Sequence, residues 1–214
     1  MDKVDELLLR LSKRKNTLTV FNPYRNPVLT NNLKAYLETM LKAQQQSGGR
    51  VMLVGEAPGF KGGRLTGIPF SSGKLLQESD HPFIKVLRPQ LELDSCEQEN
   101  TASMVWQYLS EQTEVPVFWN AFPFHPHPSR VQKKNRNPKQ SEIEEGAEYL
   151  EMMVEIFKPD QIAGLGRSGV ACVEKVFPER QVAYIRHPSY GGKKDFIQGM
   201  DLLFSGSFSE GTAY

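Results

Sequence analysis

The stretch VMLVGEAPGFKGGRLTGIPFSSG, residues 51–73, decides the fold. Val51, Met52, Leu53 and Val54 form an unbroken apolar run, the pattern of a strand buried on both faces. The run ends at Gly55, Glu56, Ala57, Pro58 and Gly59, a turn that neither a strand nor a helix accommodates internally. A long loop follows, with glycines at 62, 63 and 67, and closes on Pro69, Phe70, Ser71, Ser72 and Gly73. A buried strand that empties into a glycine-rich loop is where an open α/β sheet holds its ligand. A generous turn has the same composition, so the rest of the chain has to decide.

Downstream, helices are expected over 74–78 and, after His81-Pro82, over 83–87. Residues 88–99 are polar and show no period. A helix over 101–111 turns Ala102, Val105, Trp106 and Leu109 inward. Residues 115–119 read as the second core strand, and Pro116 restricts it to a strand's beginning or edge. Ser141 with Glu144 reads as a capping box for a helix whose inward stripe is Ile143, Ala147, Leu150, Val154 and Phe157. Strands over 161–165 and 182–185 alternate with helices over 168–177 and 195–204. Upstream, a short helix over 5–11 and a loop over 16–28 precede a helix capped by Thr30, with Leu33, Leu37, Met40 and Leu41 on one face. Four strands separated by helices predict an α/β fold, a three-layer sandwich around a central four-stranded parallel sheet. A single domain is expected over 1–214, with N-terminal helices over 1–48, a core over 50–204 and a mobile tail over 205–214.

The chain's 214 residues, 39% hydrophobic and 24% charged, fit one soluble globular domain. No apolar stretch approaches a membrane span, and MDKVDELLLRLSKRKN reads as an amphipathic helix rather than a signal peptide. Cys96 and Cys172 provide neither a disulfide framework nor a metal-ligand spacing, which points to a reducing cytosolic or nucleoid setting. The net charge of +1 leaves a nucleic-acid partner open, and its distribution says more. Between Asn120 and Ser141 there is no acid, but there are Arg130, Lys133, Lys134, Arg136 and Lys139; a second basic group is Arg186, Lys193 and Lys194. Solvated loop charge is the plain alternative for each. His125 and His127 lack carboxylate or cysteine partners in sequence, so they are read as DNA-facing or structural rather than as metal ligands.

Three strand ends carry chemistry: GEAPG after the first, NAFPFHPH after the second and RHPSYGG after the fourth. In a parallel sheet these loops emerge on one edge. They offer backbone amides and a carboxylate, an amide side chain that donates and accepts at once, and an imidazole followed by proline. With Phe70 they form a receptor for a planar heterocycle.

In this order the motifs resemble the uracil-DNA glycosylase superfamily. The matching residues are Gly55 to Gly59, Phe70, Asn120 and His187-Pro188-Ser189, and the resemblance spans residues 51–200. The wording GEAPG and GIPFSSGKLL is most similar to the branch that often carries an iron–sulfur cluster. The resemblance implies a monofunctional glycosylase that flips uracil, or another deaminated base, out of DNA and hydrolyses its N-glycosidic bond in base excision repair. Phe70 would stack on the base, beside Gly55, Glu56 and Ala57. Asn120 would bond O4 and N3–H, and His187 would donate to O2. Pro58, Ser72, Arg130, Ser189, Tyr190 and Lys193 would meet the DNA, with Tyr190 filling the vacated space.

Two departures matter. Ala57 stands where the best-known branch has a water-handling aspartate, and Gly59 where it has a bulky tyrosine; the GEAPG branch shares both differences. Glu56 becomes the candidate for base binding or water positioning, with a structural acceptor role as the equal alternative. The cluster-bearing branch needs four cysteines and this chain has two, so no iron–sulfur cluster, metal or other cofactor is expected. The expected partner is uracil-containing DNA, met by a monomer, with no membrane involved. A superfamily member that binds nucleic acid or free base without cleaving it is the competing reading. A phosphate-loop enzyme lacks support, since neither GxxxxGK[ST] nor GxGxxG occurs.

Overall fold

The computed structural model describes residues 2–47 and 50–206. Most of the expected mobile tail, 207–214, lies outside the described residues. In chain order the elements are α1 (Lys3–Lys13), β1 (Val20–Phe21), a 3-10 turn (Pro23–Arg25), α2 (Pro27–Ser47), β2 (Val51–Gly55), α3 (Gly63–Thr66), α4 (Gly73–Glu78) and α5 (Pro82–Leu87). They continue with a 3-10 turn (Arg88–Gln90), α6 (Asn100–Leu109), β3 (Val117–Asn120), β4 (His125–Pro126), α7 (Gln140–Phe157), β5 (Gln161–Leu165), α8 (Gly166–Val176), β6 (Val182–Ile185) and α9 (Lys193–Phe204).

The main sheet has the order β3-β2-β5-β6 with every pair parallel, as the four apolar runs predict. From β2 the chain crosses to β3 on one side, then returns past β2 to β5 and β6 on the other. Right-handed crossovers in opposite directions place α3–α6 on one face and α7 and α8 on the other, which makes the three layers. The packing agrees: Trp106 of α6 lies against Phe118 of β3, whereas α8 covers β2, β5 and β6 and packs on α7. The reversal falls between β2 and β5, and beyond the carboxyl ends of those strands is the crevice in which such sheets bind ligands.

Several boundaries differ from the sequence reading for local reasons. Helix α2 starts at Pro27, whose fixed φ suits a first turn, and the Asn26 side chain accepts from the Val28 N–H at 3.0 Å. Thr30 is already inside the helix and donates to the carbonyls of Tyr24 and Asn26. Helix α7 starts at Gln140, because Glu142 reaches back to the Lys139 N–H at 2.7 Å; Ser141 is therefore not its cap. The segments read as loops on either side hold a small antiparallel ladder, with Val20 opposite Pro126 and Phe21 opposite His125.

β3 is an edge strand, and its outer side is closed by one hydroxyl. Tyr36 of α2, fully buried, accepts from the Phe118 N–H at 2.7 Å. Burial pushes the Tyr36 phenol well above its usual pKa, so it remains a neutral hydroxyl. Tyr36→Phe would strand that buried N–H, which costs about 1–3 kcal/mol. Urea unfolding of this variant is expected to show a lower midpoint by that amount with an unchanged slope.

Candidate active site

Gly55 ends β2 and pairs in register with Asn120, which ends β3. A Cβ built on Gly55 would lie 2.6 Å from Phe70 Cζ and 3.0 Å from Asn120 Oδ1. The ring and the amide therefore converge over one glycine, and only a residue without a side chain leaves room for both. Phe70 holds a left-handed backbone (φ 51), an uncommon state for a bulky residue that marks a constrained position. Two contacts hold it there. The Trp106 indole N–H donates to the Phe70 carbonyl at 2.9 Å, and the Phe70 ring packs on Phe118 with centroids 5.0 Å apart. The Thr66 and Ser71 hydroxyls, 2.7 Å apart, lock the loop that delivers Phe70. Asn120 is buried at 6% exposure, and its carboxamide makes no hydrogen bond with any described residue. Backbone bonds zip the two strand ends together: Ala121 N–H to the Gly55 carbonyl at 2.8 Å and Phe122 N–H to the Glu56 carbonyl at 3.0 Å.

His187 follows β6 at the same edge, and its Cβ lies 3.7 Å from where a Cβ on Gly166, just past β5, would stand. β2 and β6 are two strand spacings apart, about 10 Å. The Ser189 N–H donates to His187 Nδ1 at 3.2 Å, so the neutral ring carries its proton on Nε2. Burial lowers the His187 pKa; Glu99 acts against that shift and Arg186 adds to it. His187 is thus a neutral Nε2–H donor around pH 7.

The chain belongs to the uracil-DNA glycosylase superfamily. A family model with that description matches residues 44–196, well over half of the sequence. Among solved structures, wild-type SMUG2 of Pedobacter heparinus superimposes with a TM-score of 0.67 over 97% of this chain and 98% of that one; at 16% identity the likeness is one of fold. A search of curated proteins finds no match.

In this superfamily member the remaining site candidates divide clearly. Tyr190 sits at the apex of the loop after His187 with φ 54 and 99% exposure. Arg130, Lys133, Lys134, Lys193 and Lys194 are also exposed, and Ser189 is half-buried. Arg136 is not a free cation: it grips Glu142 through both terminal nitrogens, at 2.7 and 2.6 Å. Pro58 and Ser72, expected at a DNA surface, are buried instead. Pro58 offers its carbonyl to His125 Nδ1 at 2.8 Å, and the Ser72 hydroxyl accepts from Leu75 N–H as the cap of α4. His125 and His127 are buried and stacked 5.7 Å apart, and His125 Nε2 faces the Gln132 carbonyl at 3.0 Å; they are structural. Among the described residues no group of three His, Cys, Asp or Glu is placed to hold a metal ion, and no helix is long and apolar enough to cross a membrane.

Glu56 lines the turn through its backbone, but its charge bears on the Cys172 thiol of α8, whose pKa is pushed up to about 11, first by burial and then by Glu56. Sequence reasoning passed over three residues that the site depends on. Trp106 was legible only as an inward position, although its N–H supports Phe70. Asn135 accepts from the Phe60 N–H at 2.8 Å and so ties the basic loop to the turn. Glu99 lies against the turn from a segment with no periodic signal.

Three histidines around this site, His81, His125 and His187, have pKa values lowered first by burial. The unfolded chain takes up protons near the usual 6.5 that the folded chain resists. Stability contributed by these groups is full above that pH and declines as the pH falls through it. The urea midpoint at pH 5.5 is expected to fall below that at pH 7.5; an unchanged midpoint would show that these rings are not held neutral.

Proposed function

We propose that this chain is a monofunctional glycosylase that removes uracil, and related deaminated bases, from DNA in base excision repair. The observation that carries the reading is the convergence over Gly55 of an aromatic ring and an unpartnered buried amide, at the sheet edge that also carries a neutral Nε2–H histidine. A flipped uracil stacks on Phe70. Asn120 donates to O4 and accepts from N3–H; cytosine, with donor and acceptor exchanged, leaves both groups unpaired at about 1–3 kcal/mol each. His187 Nε2–H donates to O2 as negative charge collects there during C1′–N cleavage, and such a donor is worth about 2.7–4 kcal/mol. Gly55 and Ala57 shape the wall behind the base. Gly59, in place of a bulky residue, leaves room for bases other than uracil.

Tyr190 enters the duplex at the vacated position, while Arg130, Ser189 and Lys193 contact phosphates. The reaction as proposed uses water and no cofactor, and the protein acts as a monomer on DNA in the cytoplasm or nucleoid.

Incubation of the folded protein with a uracil-containing oligonucleotide is expected to leave an abasic site, read as alkaline strand cleavage on a gel. His187→Ala should slow the single-turnover rate about 10²–10³-fold while uracil-DNA binding persists. Asn120→Asp, which cannot donate to O4, should lose about 10- to 100-fold on uracil. A folded wild type that produces no abasic site would refute the reading, and tight binding without turnover would favour a binding member of the superfamily.

A further inference from the structure

Ala57 leaves the turn after β2 without an acid at that position. A different carboxylate reaches the turn from outside it. Glu99 precedes α6, and its oxygens accept from Thr101 N–H at 3.1 Å and Ala102 N–H at 2.6 Å. Its stem lies across the turn: a Cβ on Gly62 would stand 3.1 Å from Glu99 Cγ, and one on Gly59 would stand 3.7 Å from it. The two amides still leave a lone pair on each carboxylate oxygen.

The placement of Glu99 is enforced along the whole segment 91–99. Buried Asn32 of α2 joins the segment to the loop, donating to the Glu92 and Thr66 carbonyls at 2.9 and 3.1 Å and accepting from the Glu92 N–H at 3.0 Å. Lys74 N–H donates to the Glu97 carbonyl at 3.1 Å. Gly73 lies so close to the segment that a Cβ there would be 1.6 Å from the Ser95 carbonyl oxygen. The Glu99 charge also raises the His187 pKa, against the lowering by burial and by Arg186.

We propose that Glu99 is the catalytic carboxylate of this glycosylase, holding the water that attacks C1′ and opposing the positive charge that grows on the sugar. The proposal rests on the glycosylase reading above. In the step, the C1′–N bond breaks and its electron pair leaves on the base, whose O2 is held by His187. The water oxygen bonds to C1′, its proton passes to Glu99, and Glu99 returns that proton to the departed base. The products are an abasic sugar and a neutral base.

The test compares wild type, Glu99→Gln and Glu97→Gln under single-turnover conditions on a uracil-containing oligonucleotide. Melting temperature, affinity for uracil-DNA and the NMR titration of the His187 ring are measured in parallel. Glu99→Gln is expected to cleave about 10²-fold more slowly, with affinity and melting temperature close to wild type, because a carboxamide oxygen still accepts from Ala102 N–H. Its His187 midpoint should move to lower pH, since the anion that opposes the burial effect is gone. Glu97→Gln, which alters an exposed carboxylate two residues away that pairs with Lys61, should cleave at nearly the wild-type rate. Glu99→Asp keeps the charge and suits the cap position, but withdraws the carboxylate by one methylene, and should be about tenfold slow with the His187 midpoint retained. Wild-type rates in Glu99→Gln or Glu99→Asp would overturn the role of Glu99 while leaving the glycosylase reading intact. So would a rate loss that follows melting temperature with the His187 midpoint unmoved. A wild type that cleaves no uracil removes both.

Discussion

No side chain fits at Gly55, and the site depends on that vacancy. A methyl group there would have to displace the Phe70 ring at 2.6 Å and crowd the Asn120 amide at 3.0 Å. The strand that ends at Gly55 is central, bonded to β3 on one side and β5 on the other, so it cannot yield to relieve such a clash. Phe70 cannot yield easily either, with its left-handed backbone tied to Trp106. Close packing turns a single missing Cβ into the reference point from which ring, amide and imidazole are placed.

That rigidity is built in concentric layers. Trp106 supports Phe70 and is itself met edge-on by His81, whose centroid is 5.2 Å away and whose Nδ1 caps α5. Asn32, buried and fully engaged, ties α2 to the loop and to segment 91–99. On the opposite side Asn135 and His125 tether the basic loop to Phe60 and Pro58. The flexible-looking composition of residues 55–73, rich in glycine, is thus held by polar side chains from three other parts of the chain. Glycine there serves close approach more than motion.

The sheet was legible in the sequence because its strands are continuous apolar runs ended by glycine, asparagine or arginine, and residues 161–165 and 182–185 are placed to the residue. Asn120 stands out by its position after a strand and Phe70 as the aromatic of the long loop after β2, and the structure brings both to Gly55. What could not be read was whatever depends on tertiary approach. Ser72 reads as a phosphate ligand in the sequence, and its burial as the cap of α4 shows only in the fold. Glu99 sits in a stretch with neither period nor motif, and its approach to Gly59 and Gly62, forty residues or so upstream, is made only in the fold. Arg136 counts as basic charge in the sequence and is cancelled by Glu142 in the fold.

Tyr190 touches almost nothing, and that has an evolutionary consequence. An aromatic ring in water is hydrated alike in the folded and unfolded chains, so its exposure is close to neutral for folding; its apolar area is released only when something covers it, at about 25 cal/mol per Å². The turn beneath it is set by backbone contacts, with Gly192 N–H on the Ser189 carbonyl and Gly192 pressed against the His187 carbonyl. The side chain at position 190 is therefore nearly uncoupled from the stability of the domain. Mutation can sample different side chains there, limited chiefly by the left-handed backbone, and alter what the loop engages while His187 stays in place.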